Sequence, residues 1–224
     1  MAEHSLRARP LFLLVYHSGA PPTVCATHAY HVYCPCYAVL CTSFANGSLN
    51  PQDESPLGYT FARSTTSPPP ASICIVPILR SGLSMVPAIS SLLPAAASVH
   101  HLGLYREKST LQPVEYYNNL PYHGPTAANP NAGGPSQLAI IVDPVIATGA
   151  TACAAIASLR DWGVKRIIVC SVLATKQGLA AACGEWEEGV EVWAGGCDEG
   201  VDGKGMIKPG LGDIGDRLFL TIGK

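Results

Sequence analysis

The run Ile140-Ile141-Val142-Asp143-Pro144-Val145-Ile146-Ala147-Thr148-Gly149-Ala150-Thr151 limits what this chain can fold into more than any other stretch. It reads as a buried strand that ends in an acid, turns through small residues and enters a helix. Thr151 to Trp162 then places Ala152, Ala155, Ile156 and Leu159 on one face, and Gly163 stands where a helix ends in the left-handed conformation. A second apolar run, Ile167 to Leu173, follows. Strand, helix and strand together make a crossover unit of about 35 residues, which calls for parallel strands.

Other runs fit the same scheme. Ile73 to Ile78, Leu138 to Val142 and Val190 to Ala194 are short, rich in Val and Ile and bounded by turn residues, as strands buried on both faces are. Ser84 to Leu93 predicts a weaker helix, with Pro87 acceptable only in its first turn. Leu218 to Ile222 predicts a last strand. Tyr122 to Gln137 carries Gly124-Pro125, Asn129-Pro130 and Gly133-Gly134-Pro135 and predicts a mobile surface loop. The expected fold class is α/β, a central parallel sheet flanked by helices.

With 224 residues, the chain can bury one sizeable core but not two. Its character changes near residue 72. Residues 1–70 are rich in Pro, Ser, Thr, His and Cys, lack a sustained period and end in Ser67-Pro68-Pro69-Pro70. They are expected to be poorly specified and disordered or loosely packed, and the domain proper to span 71–224. A formal net charge of −2 with 14 Lys and Arg gives no strong electrostatic footprint for nucleic-acid binding. Nine irregularly spaced cysteines point to reduced thiols and a cytoplasmic protein. Arg7, Arg9 and Leu11 to Tyr16 imitate a signal peptide, but Pro10 and His17 interrupt it. No apolar run reaches the roughly 18 residues of a membrane helix.

The turn Ala147 to Thr151 offers small side chains, successive N–H groups, two hydroxyls and a helix N-terminus, all suited to a phosphate monoester. Asp143 is placed to accept from ribose hydroxyls. The same segment also fits an ordinary helix after a strand, with Asp143 as a turn acid. Three further segments bear on the choice. Pro77-Ile78-Leu79-Arg80-Ser81-Gly82-Leu83 repeats the strand-end arrangement with an arginine suited to phosphate oxygens. Leu104-Tyr105-Arg106-Glu107 with Val114 to Pro121 reads as an extended polar arm around a second arginine. Ile207 to Arg217, with Pro209, Gly210, Gly212, Asp213, Ile214 and Gly215, exposes backbone groups suited to a small flat heterocycle.

In this order the four segments resemble the uracil phosphoribosyltransferases, from about Ile73 to Thr221. The phosphate loop alone is similar to type I phosphoribosyltransferases in general. Asp143 followed by proline rather than a second acid, together with the Pro209 to Arg217 run, resembles the uracil branch. The resemblance implies a type I phosphoribosyltransferase-like fold with a hairpin arm. It also implies transfer of ribose 5-phosphate from phosphoribosyl diphosphate to uracil, in pyrimidine salvage.

Roles follow by position, as implications of the likeness. Arg80 and Arg106 would hold phosphoribosyl diphosphate. Asp143, Pro144, Val145, Ile146, Ala147, Thr148, Gly149, Ala150 and Thr151 would hold its ribose and 5-phosphate, and Asp213 would also contact it. Ile207, Gly212, Asp213 and Ile214 would bind uracil, largely through backbone groups. Asp143, Arg106 and Asp213 would carry the catalysis. Mg2+ would be chelated mainly by the diphosphate, so no protein metal ligand is named. A homo-oligomer, dimer or tetramer, is expected, with GTP as an effector in some relatives. The arm from Arg106 to Pro121 would act as a lid.

The likeness has gaps. The helices and early Thr-Arg motif that usually precede the first core strand are not found in residues 1–70. Ala150 replaces the usual glycine and Thr151 the usual serine, and a methyl there would crowd the phosphate. His28, His31, Cys34, Cys36 and Cys41 fit no familiar zinc spacing. His100 and His101 are expected on an apolar strand, structural rather than catalytic, and Cys153, Cys170, Cys183 and Cys197 as small core residues. Two other readings stay open: a catalytically weak phosphoribosyltransferase-like module that senses nucleotides, and, against the low basic content, an RNA-binding regulator.

Overall fold

The computed structural model describes residues 13–16, 23–25, 49–54, 56–64, 68–93, 95–107, 110, 112–121 and 134–221. Before residue 65 the described backbone forms β1 (Leu13–Tyr16), β2 (Thr23–Cys25), β3 (Leu49–Glu54) and β4 (Thr60–Ser64). A short 3-10 turn leads into β5 (Ile73–Leu79), and a second, Ser81–Met85, into α1 (Val86–Ser90). Then come β6 (Ser98–Val99), β7 (Leu102–Arg106), β8 (Pro113–Asn118), β9 (Leu138–Val142), β10 (Val145–Ile146) and α2 (Ala150–Trp162). The chain closes with β11 (Arg166–Thr175), α3 (Lys176–Gly184), β12 (Val190–Asp198), β13 (Gly200–Val201), β14 (Ile207–Lys208) and α4 (Ile214–Leu218).

The main sheet runs β2-β1-β12-β11-β9-β5-β7-β8. Its centre, from β12 to β7, is parallel, and both ends are antiparallel: β8 folds back on β7, and β1 pairs with β12. The expected parallel sheet, crossover unit and hairpin arm are therefore present. Four of the five residues of β9 are aliphatic beyond alanine, and all five are buried, because helices cover both faces and neither side needs polar residues.

Alternation along each strand divides the core. Cys74, Val76, Ala139, Ile141, Ile167, Val169 and Val192 point to one side. There they meet Ala152, Ala155, Ile156, Leu159 and Trp162 of α2 and Leu179, Ala182 and Cys183 of α3. Ile73, Ile75, Leu138, Ile140, Ile168 and Trp193 point to the other, against Met85 and Ile89. The helical face expected of α2 is the one it buries, and Gly163 ends it at φ 104°, a conformation glycine adopts without a Cβ penalty. Pro87 sits in the first turn of α1.

The expected C-terminal strand is not formed. Asp213 accepts from the Asp216 N–H and caps α4, which runs through Leu218, and Phe219 ends it. Leu218, Phe219 and Leu220 are exposed, so no sheet edge draws them into an extended pairing. His100 and His101 lie in the link between β6 and β7 rather than on a strand. The His100 ring packs edge-on to Trp162, with centroids 5.4 Å apart, and burial lowers its pKa.

Some expectations fall outside the described residues: residues 122–133 of the long loop, His28, His31, Cys34, Cys36 and Cys41, and Ile222. Among the described residues, no helix is long and apolar enough to cross a membrane.

Leu159 is fully buried and Val172 is half exposed. Leu159→Ala is expected to cost about 3 kcal/mol of unfolding free energy through transfer and cavity terms, and Val172→Ala under about 1 kcal/mol. Urea unfolding of the two variants checks this, and similar losses at both positions would mean the core is placed wrongly.

Candidate active site

Parallel pairing brings three strand ends to one edge. Ile78 and Leu79 pair with Leu102 and Gly103, and Pro77 pairs with Val142. The residues just past or at those ends are Arg80, Arg106 and Asp143. In open α/β sheets this carboxyl edge is where ligands bind. Here the three line a single cleft of about 840 Å³, which Val145, Thr151, Gly212, Asp213 and Ile214 also line. Segments far apart in sequence, the two arginines, the acid and the glycine-rich run near the C-terminus, thus converge on one cleft. Tyr105 and Tyr116 of the arm add aromatic surface to the wall.

Asp143 is only 7% exposed. Burial raises its pKa to about 7; the Val145 N–H, the Ser81 hydroxyl and the Arg106 charge act the other way. Ser81 donates to Oδ1 at 3.4 Å. It can approach because Gly82 has no side chain: a Cβ there would run into the Val142 carbonyl oxygen. The acid is therefore built into the strand-end packing, which goes beyond a turn acid at a helix start.

The phosphate loop is shaped from behind. Gly149 takes φ 87° as the N-cap of α2 and offers no side-chain cap to the first turn, so the N–H groups there suit an anion. A Cβ on Gly149 would lie 2.7 Å from the Gly178 carbonyl oxygen, and one on Gly178 would strike that of Ala147. The fully buried Thr175 donates to the Ala147 carbonyl at 2.6 Å and accepts from Gly178 N–H at 3.0 Å. Ile146, Ala147, Thr148 and Gly149 line a small recess together with Arg106 and Asp143. Pro144 and Ala150 line neither cavity. The Pro144 carbonyl instead accepts from Val172 and Leu173.

The base-side segment is a sequence of fixed turns. Gly210 and Gly212 have φ 54° and 78°. Asp198 accepts from the Gly210 N–H at 3.1 Å, Asp202 accepts from Lys204 and Met206, and Arg217 donates to the Leu211 carbonyl. Ile207 is buried in β14 and outside the cleft lining. The Arg106 guanidinium donates to the Gly205 carbonyl at 3.0 Å, which ties the arm to this segment. Thr175, Gly178, Asp198 and Ser81 were not singled out from the sequence. Each acts through a backbone or carboxylate group brought near only by folding, and no local pattern marks it.

Four of the described cysteines are set against acting as nucleophiles. Burial pushes the Cys74 and Cys183 thiols up to about 11 and raises those of Cys153 and Cys197. Among the described residues, no three His, Cys, Asp or Glu side chains converge as a metal site. What the cleft offers is two arginines, a lysine, two carboxylates, a helix N-terminus and oriented backbone groups.

Comparison with known proteins agrees with this inventory. The family model for uracil phosphoribosyltransferase matches residues 40–221. A putative uracil phosphoribosyltransferase of Schizosaccharomyces pombe is 46% identical over 163 residues, covering 73% of this chain and 72% of the relative. The uracil phosphoribosyltransferase of Listeria innocua is 41% identical over 170 residues, covering 76% and 74%. A solved structure of a protein from Aquifex aeolicus superposes with a TM-score of 0.66 at 27% identity, covering 84% of this chain and 83% of that one. The chain belongs to the uracil phosphoribosyltransferase family.

Proposed function

We propose that this chain forms uridine monophosphate and diphosphate from uracil and 5-phosphoribosyl 1-diphosphate, a salvage reaction. The observation that carries the reading is the convergence of Arg80, Arg106, Asp143, Asp213 and the Gly212 to Ile214 backbone on one cleft at the sheet's carboxyl edge. In the reaction the bond from C1′ to the diphosphate oxygen breaks, a bond from C1′ to uracil N1 forms, and the N1 proton is lost. Positive charge grows on the sugar as the diphosphate leaves, so the protein's task is charge placement and positioning rather than covalent attack.

Arg80 and Arg106 suit the diphosphate, whose oxygens a guanidinium meets in a fork. The loop from Asp143 to Thr151, at the start of α2, suits the 5-phosphate and ribose. Asp143 accepts from ribose hydroxyls, which favour its ionised form against burial, and it faces the growing charge. Asp213 contacts phosphoribosyl diphosphate, and the backbone at Gly212 and Ile214, which line the cleft, reads uracil, with Ile207 behind them in β14. Mg2+ fits as a partner of the diphosphate, whose oxygens are the hard ligands it prefers. When bound it would neutralise charge on the leaving group. The Tyr116 side of the arm closes over the reacting sugar and excludes water.

Free Cys74, Cys153, Cys170, Cys183 and Cys197 support a reducing compartment, the cytoplasm. Exposed Val114, Tyr116 and Tyr117 on the outer strand β8 support assembly into a homo-oligomer through the arm. Adding GTP to the activity assay tests it as an effector.

Uridine monophosphate formation from uracil and phosphoribosyl diphosphate is the direct test. Hypoxanthine, guanine, adenine and orotate are expected at least about 100-fold lower in kcat/KM, because a site with fixed polar groups rejects bases that leave them unpaired. Comparable turnover with a purine would overturn the assignment.

Asp143→Asn separates chemistry from folding. Loss of one preorganised charge is expected to cost about 2 to 4 kcal/mol of transition-state stabilisation, roughly 100-fold in rate, with kcat falling more than affinity. Stability moves the other way. The folded pKa, about 7, lies above the usual 3.8. The native state therefore binds the extra proton, and stability present below about pH 4 is lost as pH rises through 7. Asn does not titrate, so melting temperatures are expected to match near pH 4 and to favour the variant near pH 7.5. A folded variant with undiminished single-turnover rate would remove Asp143 from the site.

A further inference from the structure

Arg80 is held by a part of the chain that no role above covers. Its Nη2 donates to Asp216 Oδ1 at 2.9 Å and its Nη1 to Thr221 Oγ1 at 3.3 Å. The Thr221 hydroxyl donates in turn to the same Asp216 oxygen at 2.6 Å, which closes a ring of three side chains. The Thr221 N–H donates to the Asp216 carbonyl at 2.9 Å and fixes the turn that brings residue 221 back. Gly215, buried in α4, lies beside the ring: a Cβ there would stand in ordinary contact with Arg80 Nη2, at 3.5 Å, and closest, at 3.3 Å, to Asp213 Oδ1.

We propose that Asp216 and Thr221 form a seat that aims the Arg80 guanidinium into the cleft, with Asp216 as the positioning residue for the diphosphate site. The proposal rests on the reading of Arg80 as a diphosphate ligand. The Arg80 and Asp216 side chains are 51% and 32% exposed, and an ion pair so open to solvent contributes little to folding. Its effect is on direction. An unrestrained arginine samples many rotamers, and ordering it on binding costs affinity. The seat uses two of the five guanidinium N–H groups, while the same side chain lines the cleft. The Thr221 hydroxyl first, and Arg80 second, hold the Asp216 carboxyl below the ordinary carboxylate range, so the seat keeps its charge. α4 carries both this seat and, at its start, Asp213 and Ile214 of the cleft wall. The diphosphate arginine and the base segment are thereby attached to one turn of helix.

The test is a double-mutant cycle on the full chain, read by titration calorimetry with phosphoribosyl diphosphate and Mg2+ and by steady-state kinetics. Asp216→Asn is expected to raise Kd and KM for phosphoribosyl diphosphate about five- to ten-fold. KM for uracil and the melting temperature should stay nearly unchanged. In an Arg80→Gln background the same substitution is expected to change Kd by less than about two-fold, since the group it aims is gone. Thr221→Val should act in the same direction and more weakly, and it carries the cycle if Asp216→Asn does not fold. A full effect that persists without Arg80, no effect in the parent, or equal losses for both substrates would overturn the seat. A parent chain that binds no phosphoribosyl diphosphate would instead overturn the functional reading, and the seat with it.

Discussion

Backbone pairing sets Pro77 beside Val142, and Val142 beside Cys170, in three adjacent parallel strands. Because the strands run the same way, their polar ends fall at one edge while their apolar bodies fill the core on both faces. Antiparallel pairing would have sent Arg80 and Asp143 to opposite edges. The cleft therefore depends on this register, and the register depends on runs buried so completely that a slip by one residue would exchange the residues facing α2 for those facing α1. The chemistry at the edge and the packing in the core are held by the same hydrogen bonds.

Asp143 is where those two demands meet. A carboxyl that is 7% exposed would be more comfortable protonated, and its pKa, raised by burial to about 7, expresses that. The Val145 N–H, the Ser81 hydroxyl and the nearby Arg106 charge oppose the shift only in part. Folding thus tolerates an unfavourable charge at the position where a cationic sugar would gain from it. Local rules are commonly violated in this way at functional sites.

Much of this was legible in the sequence. α2 announced itself through four apolar residues on one face and a terminal glycine, and the core strands through runs too apolar to face water on either side. The residues around the cleft stood out because arginines and acids were placed just after those runs. Other parts depended on contacts the sequence does not display. Thr175 looks like the last residue of a strand, yet its hydroxyl fixes the Ala147 carbonyl of a loop 28 residues earlier. Asp198 becomes important only when Gly210 folds onto it. The C-terminal error has a local cause. Leu218, Phe219 and Leu220 suggested a strand by hydrophobicity, while the stronger signal was Asp213 three residues before Asp216, an N-cap pattern.

The same distinction bears on how the site is constructed. Its rigid members, Asp143 and the loop before α2, sit on buried strands and against α3, so their geometry is set by the core. Its outer members, the exposed Arg80 and the part-buried Arg106, extend from strand ends and are not fixed by core packing. Each is instead anchored to the C-terminal segment, Arg106 through the Gly205 carbonyl and Arg80 through Asp216 and Thr221. That segment also presents Gly212, Asp213 and Ile214 to the cleft. A chain with only a fully buried core and no such return would have the loop and the acid in place, but its two arginines would be free to wander. The C-terminal run thus forms the wall assigned to the base and also supplies the contacts that hold both arginines at the edge.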